Sequence, residues 1–279
     1  MRRDLPAPLL QSAPICVIRA LPPMPTSLAP TRRFSDRVEN YTRHRPSYPA
    51  GVIDTLRHHA GLTPAAVVAD VGSGTGIFSR LLLPRCAKVF GVEPNDAMRQ
   101  EAERLLAGDA RFSSVPGAAE ATGLPDASVD LVTSAQAFHW FDPSLARREF
   151  LRILRPGGFV ALVWNERLVH ATPFLSDYEA LLARHAADSA QVRQTRLKPS
   201  ALAGFYGPGG FATAEFPSGQ RFDFEGLKGR LLSSSCAPNV GHPGHEAMIA
   251  DLADLYARHA QEGFVSLLYT TKVHYGRLS

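Results

Sequence analysis

Cysteine is scarce in this chain of 279 residues. The three that occur, Cys16, Cys86 and Cys236, stand far apart and leave one over from any pairing scheme. That excludes a disulfide-stapled extracellular module and points to a reducing, cytoplasmic setting. No apolar run reaches the roughly 18 residues that a membrane-spanning helix needs, so no membrane partner is expected. Charge of one sign is thin as well. Against 26 Asp and Glu stand 30 Lys and Arg, a formal net charge of +4 spread along the chain. No basic cluster interleaved with aromatics argues for RNA or DNA. Among the ten histidines, His58 and His59 are adjacent, and His242 and His245 have no further ligands at useful spacing, so no metal is expected.

Residues 1–30 lack glycine and aromatics and hold seven of the 22 prolines. Pro6, Pro8 and Pro14 break any signal-peptide helix there, and Arg19 interrupts its apolar run. Residues 1–33 therefore read as a disordered Pro-rich extension. Met24 offers a second start, on which residues 1–23 lie outside the native protein.

From Phe34 the texture changes. "FSDRVENYTRHRPSYP" leads into a helical pattern with Val52, Ile53 and Leu56 on one face, stopped near Gly61. Short apolar runs then alternate with amphipathic stretches. "AAVVADVG", "AKVFGVEP", "ARFSSVPG", "SVDLVTSAQ" and "GFVALVW" read as strands, the first two buried on both faces. Between them lie helices, one capped by Asn95 and another by Asp142 with Pro143 at its first position. Such alternation predicts a doubly wound, Rossmann-like α/β fold with a mostly parallel sheet. After Trp164 the alternation lapses into a helical stretch in which Phe174, Tyr178, Leu181, Leu182 and His185 share a face, an inserted cap over 166–205. The segment 206–279 shows period-two patterning in "FATAEF", "RFDF" and "FVSLLYTTKVHY", the last preceded by the helical "HEAMIADLADLYARHA". A closing strand pair there completes the sheet begun by the core at 34–165.

The sharpest signal is "ADVGSGTGIF", residues 69–78, with Gly72, Gly74 and Gly76 directly behind the first strand. In open α/β sheets the first strand-to-helix turn borders the ligand crevice. Glycine there permits positive φ and lets a ligand lie against the main chain; a bare tight turn is the alternative. The spacing is G-x-G-x-G, with Ile77 where the dinucleotide fingerprint wants its third glycine. Asp70, two residues before the first glycine, would repel a pyrophosphate and attract an ammonium group. Glu93, ending the second strand, is placed to accept hydrogen bonds from both ribose hydroxyls.

Together, "VVADVGSGTG", "VFGVEPN", "GAAEATGLPDASVDLVTSAQAFHWF" and "LRPGGFVALVWNE" resemble the class I S-adenosylmethionine-dependent methyltransferases, in the small-molecule branch that includes trans-aconitate-type and type 11 enzymes. The likeness covers residues 34–165 in detail. It implies a seven-stranded sheet whose last strand is antiparallel, and S-adenosylmethionine as cofactor. On that resemblance Asp70, Gly72, Ser73 and Gly74 meet the amino-acid end of the cofactor, and Glu93 with the adjoining Pro94 its ribose. Met98 either flanks the adenine or is a core methionine. Ala119 and Glu120 meet the adenine edge, while Gln136, Ala137, Phe138, His139 and Trp140 border the sulfonium and the acceptor. "YTRHRPSYP" resembles a flap, in which Tyr41, Arg45 and Tyr48 close the site and Arg45 meets the cofactor carboxylate or an acidic acceptor.

Methyl transfer from a sulfonium demands alignment more than acid or base power. His139 is either a general base or a neutral part of the cofactor wall. A D/N-P-P-Y/F sequence after the fourth strand is missing, which disfavours nucleobase acceptors. Acceptor specificity is expected from the cap and from "EGLKGRLLSSSCAP", where Arg230 and Ser233, with Ser234 and Ser235, line the mouth. An NAD-dependent oxidoreductase and a catalytically silent cofactor-binding protein are the competing readings.

Overall fold

The computed structural model describes residues 38–185, 199–234, 237–238 and 240–279. The Pro-rich extension, the second start at Met24, Cys16, Ser235, Cys236 and residues 186–198 of the expected cap lie outside them.

Seven strands form one sheet: β1 (Val67–Val71), β2 (Lys88–Val92), β3 (Phe112–Val115), β4 (Val129–Ala135), β5 (Leu154–Arg167), β6 (Ala212–Phe222) and β7 (Val265–Gly276). Their order is β3-β2-β1-β4-β5-β7-β6. The first five pair in parallel, and β7 runs antiparallel to both its neighbours, β5 and β6. Strand order reverses between β1 and β4, which opens a crevice beyond their carboxyl ends.

Helices cover both faces. On one side α2 (Ala50–His59) and α3 (Ile77–Leu82) pack Val52, Leu56, Phe78 and Leu82 onto Val68, Val89 and Leu131 of the central strands. On the other, α5 (Pro143–Ile153) sets Phe150 and Ile153 against Ala69, Val132 and Leu162. Both faces of the central strands are thus dry, as their unbroken apolar runs require. Each buried valine or leucine contributes about 1.5–3 kcal/mol. Ahead of these, α1 (Val38–His44) lies across the crevice, and α4 (Asp96–Leu106) follows β2. The expected caps are in place: Asn95 accepts from the Met98 N–H at 3.0 Å, and Asp142 from the N–H groups of Ser144 and Leu145 at 2.9 and 3.0 Å.

Three features differ from the sequence expectation. "FATAEF" and "RFDF" belong to one strand, β6, which runs straight through Pro217 and Gly219. β6 is the sheet edge, where the missing proline N–H costs no ladder bond. β5 continues past Trp164 to Arg167 by pairing with β7 as far as Tyr269. The helical stretch after Trp164 also divides. α6 (Pro173–His185) packs with α8 (Phe224–Leu232), α9 (His245–His259) and the first half of β7, whereas α7 (Pro199–Tyr206) sends Leu202, Phe205 and Tyr206 into the sheet core beside Phe150. The layer over the crevice is therefore drawn from two separate stretches of chain. Helical periodicity marks an apolar face but does not name its partner.

Replacing Asp142 by alanine removes both cap bonds from α5. Stability should fall by about 1 kcal/mol, seen as a drop of about 2–4 °C in a thermal melt; an unchanged melt would show the cap to be idle.

Candidate functional site

After β1 the chain turns through three residues with positive φ, Gly72 at 71°, Gly74 at 57° and Gly76 at 79°. The N–H groups of Gly72 and Ser73 both donate to the Val92 carbonyl, at 2.8 and 3.1 Å, which moors the turn to the end of β2. The glycines have different reasons to be bare. A Cβ on Gly72 would sit 2.4 Å from the Ala137 Cβ, and one on Gly76 2.9 Å from Leu106 Cδ1, but one on Gly74 would meet nothing within 4 Å. Gly72 and Gly76 admit other parts of the protein. Gly74 alone faces open space, and there a ligand can touch the main chain.

Two carboxylates flank that opening. Glu93 Oε2 accepts from the Gly74 N–H and Oε1 from the Asn95 N–H, each at 2.9 Å. Burial raises its pKa, and those two amides oppose the rise. Each oxygen keeps a further lone pair for a hydroxyl in the cavity. Asp70 is completely buried at the end of β1. Its Oδ2 accepts from Ser79 Oγ at 2.6 Å and its Oδ1 from Thr133 Oγ1 at 3.0 Å. Burial pushes its pKa up to about 6, the two hydroxyls hold it down, and Glu93 adds to the rise. A positive charge brought beside Asp70 would relieve this cost. Thr75 Oγ1, buried in the same wall, makes no hydrogen bond. An acidic crevice with one bare stretch of main chain suits a nucleoside that carries positive charge and opposes a pyrophosphate.

The crevice opens into a cavity of about 430 Å3. Asp70, Gly72, Ser73 and Gly74 border it from the first turn, and Glu93, Pro94 and Met98 from beyond β2. Met98 is only 3% exposed, so it serves core and cavity at once. Ala119 and Glu120 follow from the loop after β3, where Glu120 also accepts from the Asp142 N–H at 2.7 Å. Gln136, Ala137, His139 and Trp140 come from beyond β4, and Tyr41, Arg45 and Tyr48 from the flap. Arg230 closes the far side. Two expected residues do not face the cavity. Ser233 is fully buried, with Oγ donating to the Arg230 carbonyl at 2.7 Å, while Ser234, expected beside it, does line the wall. Phe138 turns into the core against Phe205, leaving Phe141 at the cavity.

His139 sits in the short 3-10 turn Phe138–Trp140. Its ring centroid lies 4.6 Å from Trp140 and 5.1 Å from Trp164. Burial, helped by the Arg45 charge, lowers its pKa to about 4. The imidazole is neutral at physiological pH, and its buried Nδ1 makes no hydrogen bond. The flap is docked down. Arg45 Nη2 donates to the Ser233 carbonyl at 2.7 Å, Gln220 Nε2 to the His44 carbonyl at 3.1 Å, and Asn165 Nδ2 to the Ser47 carbonyl at 3.2 Å. His44 fits the bare side of Gly229, where a Cβ would lie 2.2 Å from its Nε2.

Trp164, Asn165, Arg167 and Tyr269 line the cavity without having been expected there. Their signal was the alternation of "VWNER" and "LLYTTK", which continues past the point where an isolated strand would stop. Among the described residues no group of three or more His, Cys, Asp or Glu could hold a metal ion, and no helix is long and apolar enough to cross a membrane.

A family model described as a methyltransferase domain matches residues 69–162. An uncharacterised methyltransferase of Mycobacterium tuberculosis is 43% identical over 136 residues, 48% of this chain and 52% of that protein, so the match spans about half the relative's length. An uncharacterised methyltransferase of Geobacillus kaustophilus is 30% identical over 57% of this chain and 70% of its own. Among solved structures, a putative type II methyltransferase from Anaeromyxobacter dehalogenans superposes with a TM-score of 0.57 at 25% identity, covering 84% of this chain and 98% of that one.

The raised pKa of Asp70 makes binding of a cationic nucleoside depend on pH. Only the ionised carboxylate attracts the ligand, so titrations with S-adenosylmethionine should give an affinity about tenfold weaker at pH 5 than at pH 7. Asp70→Asn should bind more weakly and lose most of that dependence. A flat wild-type profile would remove Asp70 from the ligand's surroundings.

Proposed function

Because this chain belongs to the class I S-adenosylmethionine-dependent methyltransferase family, we propose that it binds S-adenosylmethionine beyond β1 and β2 and transfers the methyl group to a small-molecule acceptor in the same cavity. The observation that carries the reading is the pairing of Gly74, bare and facing open space, with Glu93, whose two oxygens are held toward it by main-chain N–H groups. In this reading Glu93 takes the ribose hydroxyls, Asp70 and the turn at Ser73 and Gly74 the amino-acid end, and Met98, Ala119 and Glu120 the adenine. When bound, S-adenosylmethionine supplies an electrophilic methyl group on a sulfonium.

The chain's own residues orient and enclose. Trp140, Trp164 and His139 form an aromatic wall beside the crevice, and the docked flap sets Tyr41 and Tyr48 against the same cavity. Alignment of this kind is worth up to about 7–11 kcal/mol of barrier. A cavity of about 430 Å3 under a docked flap favours a small acceptor over a macromolecule. Neutral His139 keeps its Nδ1 buried and without a hydrogen bond. With a pKa of about 4 it is a weak base, which favours the wall role over proton abstraction. A cytoplasmic setting accords with the free, buried thiol of Cys86.

Titration of the purified protein with S-adenosylmethionine, S-adenosylhomocysteine and NAD tests the site. Both adenosyl compounds should bind and NAD should not; the reverse would refute the proposal. Incubation with methyl-labelled donor and fractionated cell extract should place label in a small molecule. Adenosyl binding without transfer to any fraction would favour a silent binding protein.

His139→Ala should leave S-adenosylhomocysteine affinity nearly intact and lower kcat by less than about tenfold, with no change in the pH–rate profile between pH 6 and 8. A loss of two to four orders of magnitude would return His139 to the role of base.

A further inference from the structure

The side of the cavity opposite the acidic crevice is basic, and one of its cations has no counter-ion. Arg230, on α8, is 7% exposed and borders the cavity. Among the described residues it forms no ion pair. Its side-chain contacts are a long one of 3.4 Å from Nη1 to Ser233 Oγ and the Tyr269 hydroxyl beside it, and its buried Nε has no acceptor. Tyr269, Tyr178 and Tyr41 lie near it, and so does His44. The Tyr269 side chain also borders the cavity, with its hydroxyl buried beside the guanidinium. Arg167, at the end of β5, borders the same space with an unsatisfied buried Nε. Glu179 already pairs with it, so that pair adds donors but no net charge.

Burying a guanidinium without an anion is unfavourable, and native structures rarely leave such donors idle. Two buried arginine Nε–H groups beside the cavity, those of Arg230 and Arg167, lack an acceptor of hydrogen bonds. Arg230 itself brings one positive charge to balance. A guanidinium fork takes the two oxygens of a carboxylate through parallel hydrogen bonds, and the single charge of a carboxylate matches that of Arg230. A cationic acceptor would meet Arg230 unfavourably, and a neutral one would leave it unpaired.

We propose that Arg230, with Tyr269 and the Nε of Arg167, forms an anion subsite that receives a single carboxylate of the methyl acceptor. This inference rests on the adjoining crevice holding the cofactor, since only then is the basic wall the acceptor's side of the cavity.

The test uses full-length protein saturated with S-adenosylhomocysteine in chloride-free buffer, titrated with benzoate, hexanoate, their amides, inorganic phosphate and sulfate. Each carboxylate should bind at least about tenfold tighter than its amide, as loss of a charged hydrogen bond predicts, and tighter than phosphate or sulfate. Arg230→Gln should abolish the preference while S-adenosylhomocysteine affinity stays near the wild-type value, and Arg230→Lys should restore part of it. Should Arg230→Gln fail to fold, Tyr269→Phe supplies the second reading, a severalfold weakening confined to the carboxylates. Equal binding of acids and amides, tighter binding of phosphate, or a carboxylate preference that survives both substitutions would overturn the subsite while leaving the cofactor reading intact. No binding of S-adenosylhomocysteine to the wild-type protein would overturn both.

Discussion

The carboxylate of Glu93 is the tie on which the crevice depends. One oxygen holds the main chain of the glycine turn at Gly74, and the other holds Asn95, whose side chain caps α4. Two strand ends and a helix start are thereby locked by one side chain. A mobile glycine turn would cost a ligand the entropy of ordering it, and Glu93 removes that cost beforehand. The same hydrogen bonds offset the penalty of burying a carboxylate, and they leave it able to accept more. Main-chain donors on one side and cavity on the other make Glu93 a structural part and a binding part together.

From this tie follows an electrical polarity across the cavity. Asp70 and Glu93 make one side acidic; Arg230 and the Arg167–Glu179 pair make the other cationic by one charge. Arg45 lies between, near enough to His139 to help keep the imidazole neutral. A methyl donor with positive charge and an acceptor with negative charge would each be drawn to opposite walls, so that the reacting groups meet in the middle. On the proposed function, electrostatics would sort the two ligands before any contact specific to the acceptor is made.

How far the sequence reached depended on the range of the forces involved. β1 to β5, the caps at Asn95 and Asp142, the glycine turn and Glu93 were legible because each is set by residues within about ten positions. β6 was read as two pieces because Pro217 normally ends a strand, and nothing local says that this strand is an edge. Arg167 and Tyr269 were missed for a related reason: each borders the cavity only because β5 and β7 pair with one another, a contact between segments a hundred residues apart. Of the serines expected at the mouth, Ser234 borders the cavity and Ser233 is turned inward, since a helix end turns by about 100° per residue and neighbouring serines look alike. The cap drew on α8 and α9 because an apolar helical face is satisfied by whichever face the topology brings to it.

The end of β4 shows how the protein, more than any ligand, sets part of the glycine pattern. Gln136 has a φ of 60°, a conformation that non-glycine residues seldom adopt. It is held there by its N–H to the Val163 carbonyl at 2.9 Å and by Nε2 to the Asn165 carbonyl at 3.0 Å. Such a residue costs on the order of 1–3 kcal/mol, and the neighbouring strand β5 supplies the bonds that sustain it. The sharp bend brings Ala137 onto Gly72, closer than any side chain there would allow, and starts the 3-10 turn that directs His139 and Trp140 to the cavity. Gly72 is therefore bare for the sake of β4. The strain at Gln136 and the missing side chain at Gly72 are two halves of one contact, which fixes the aromatic wall against the crevice.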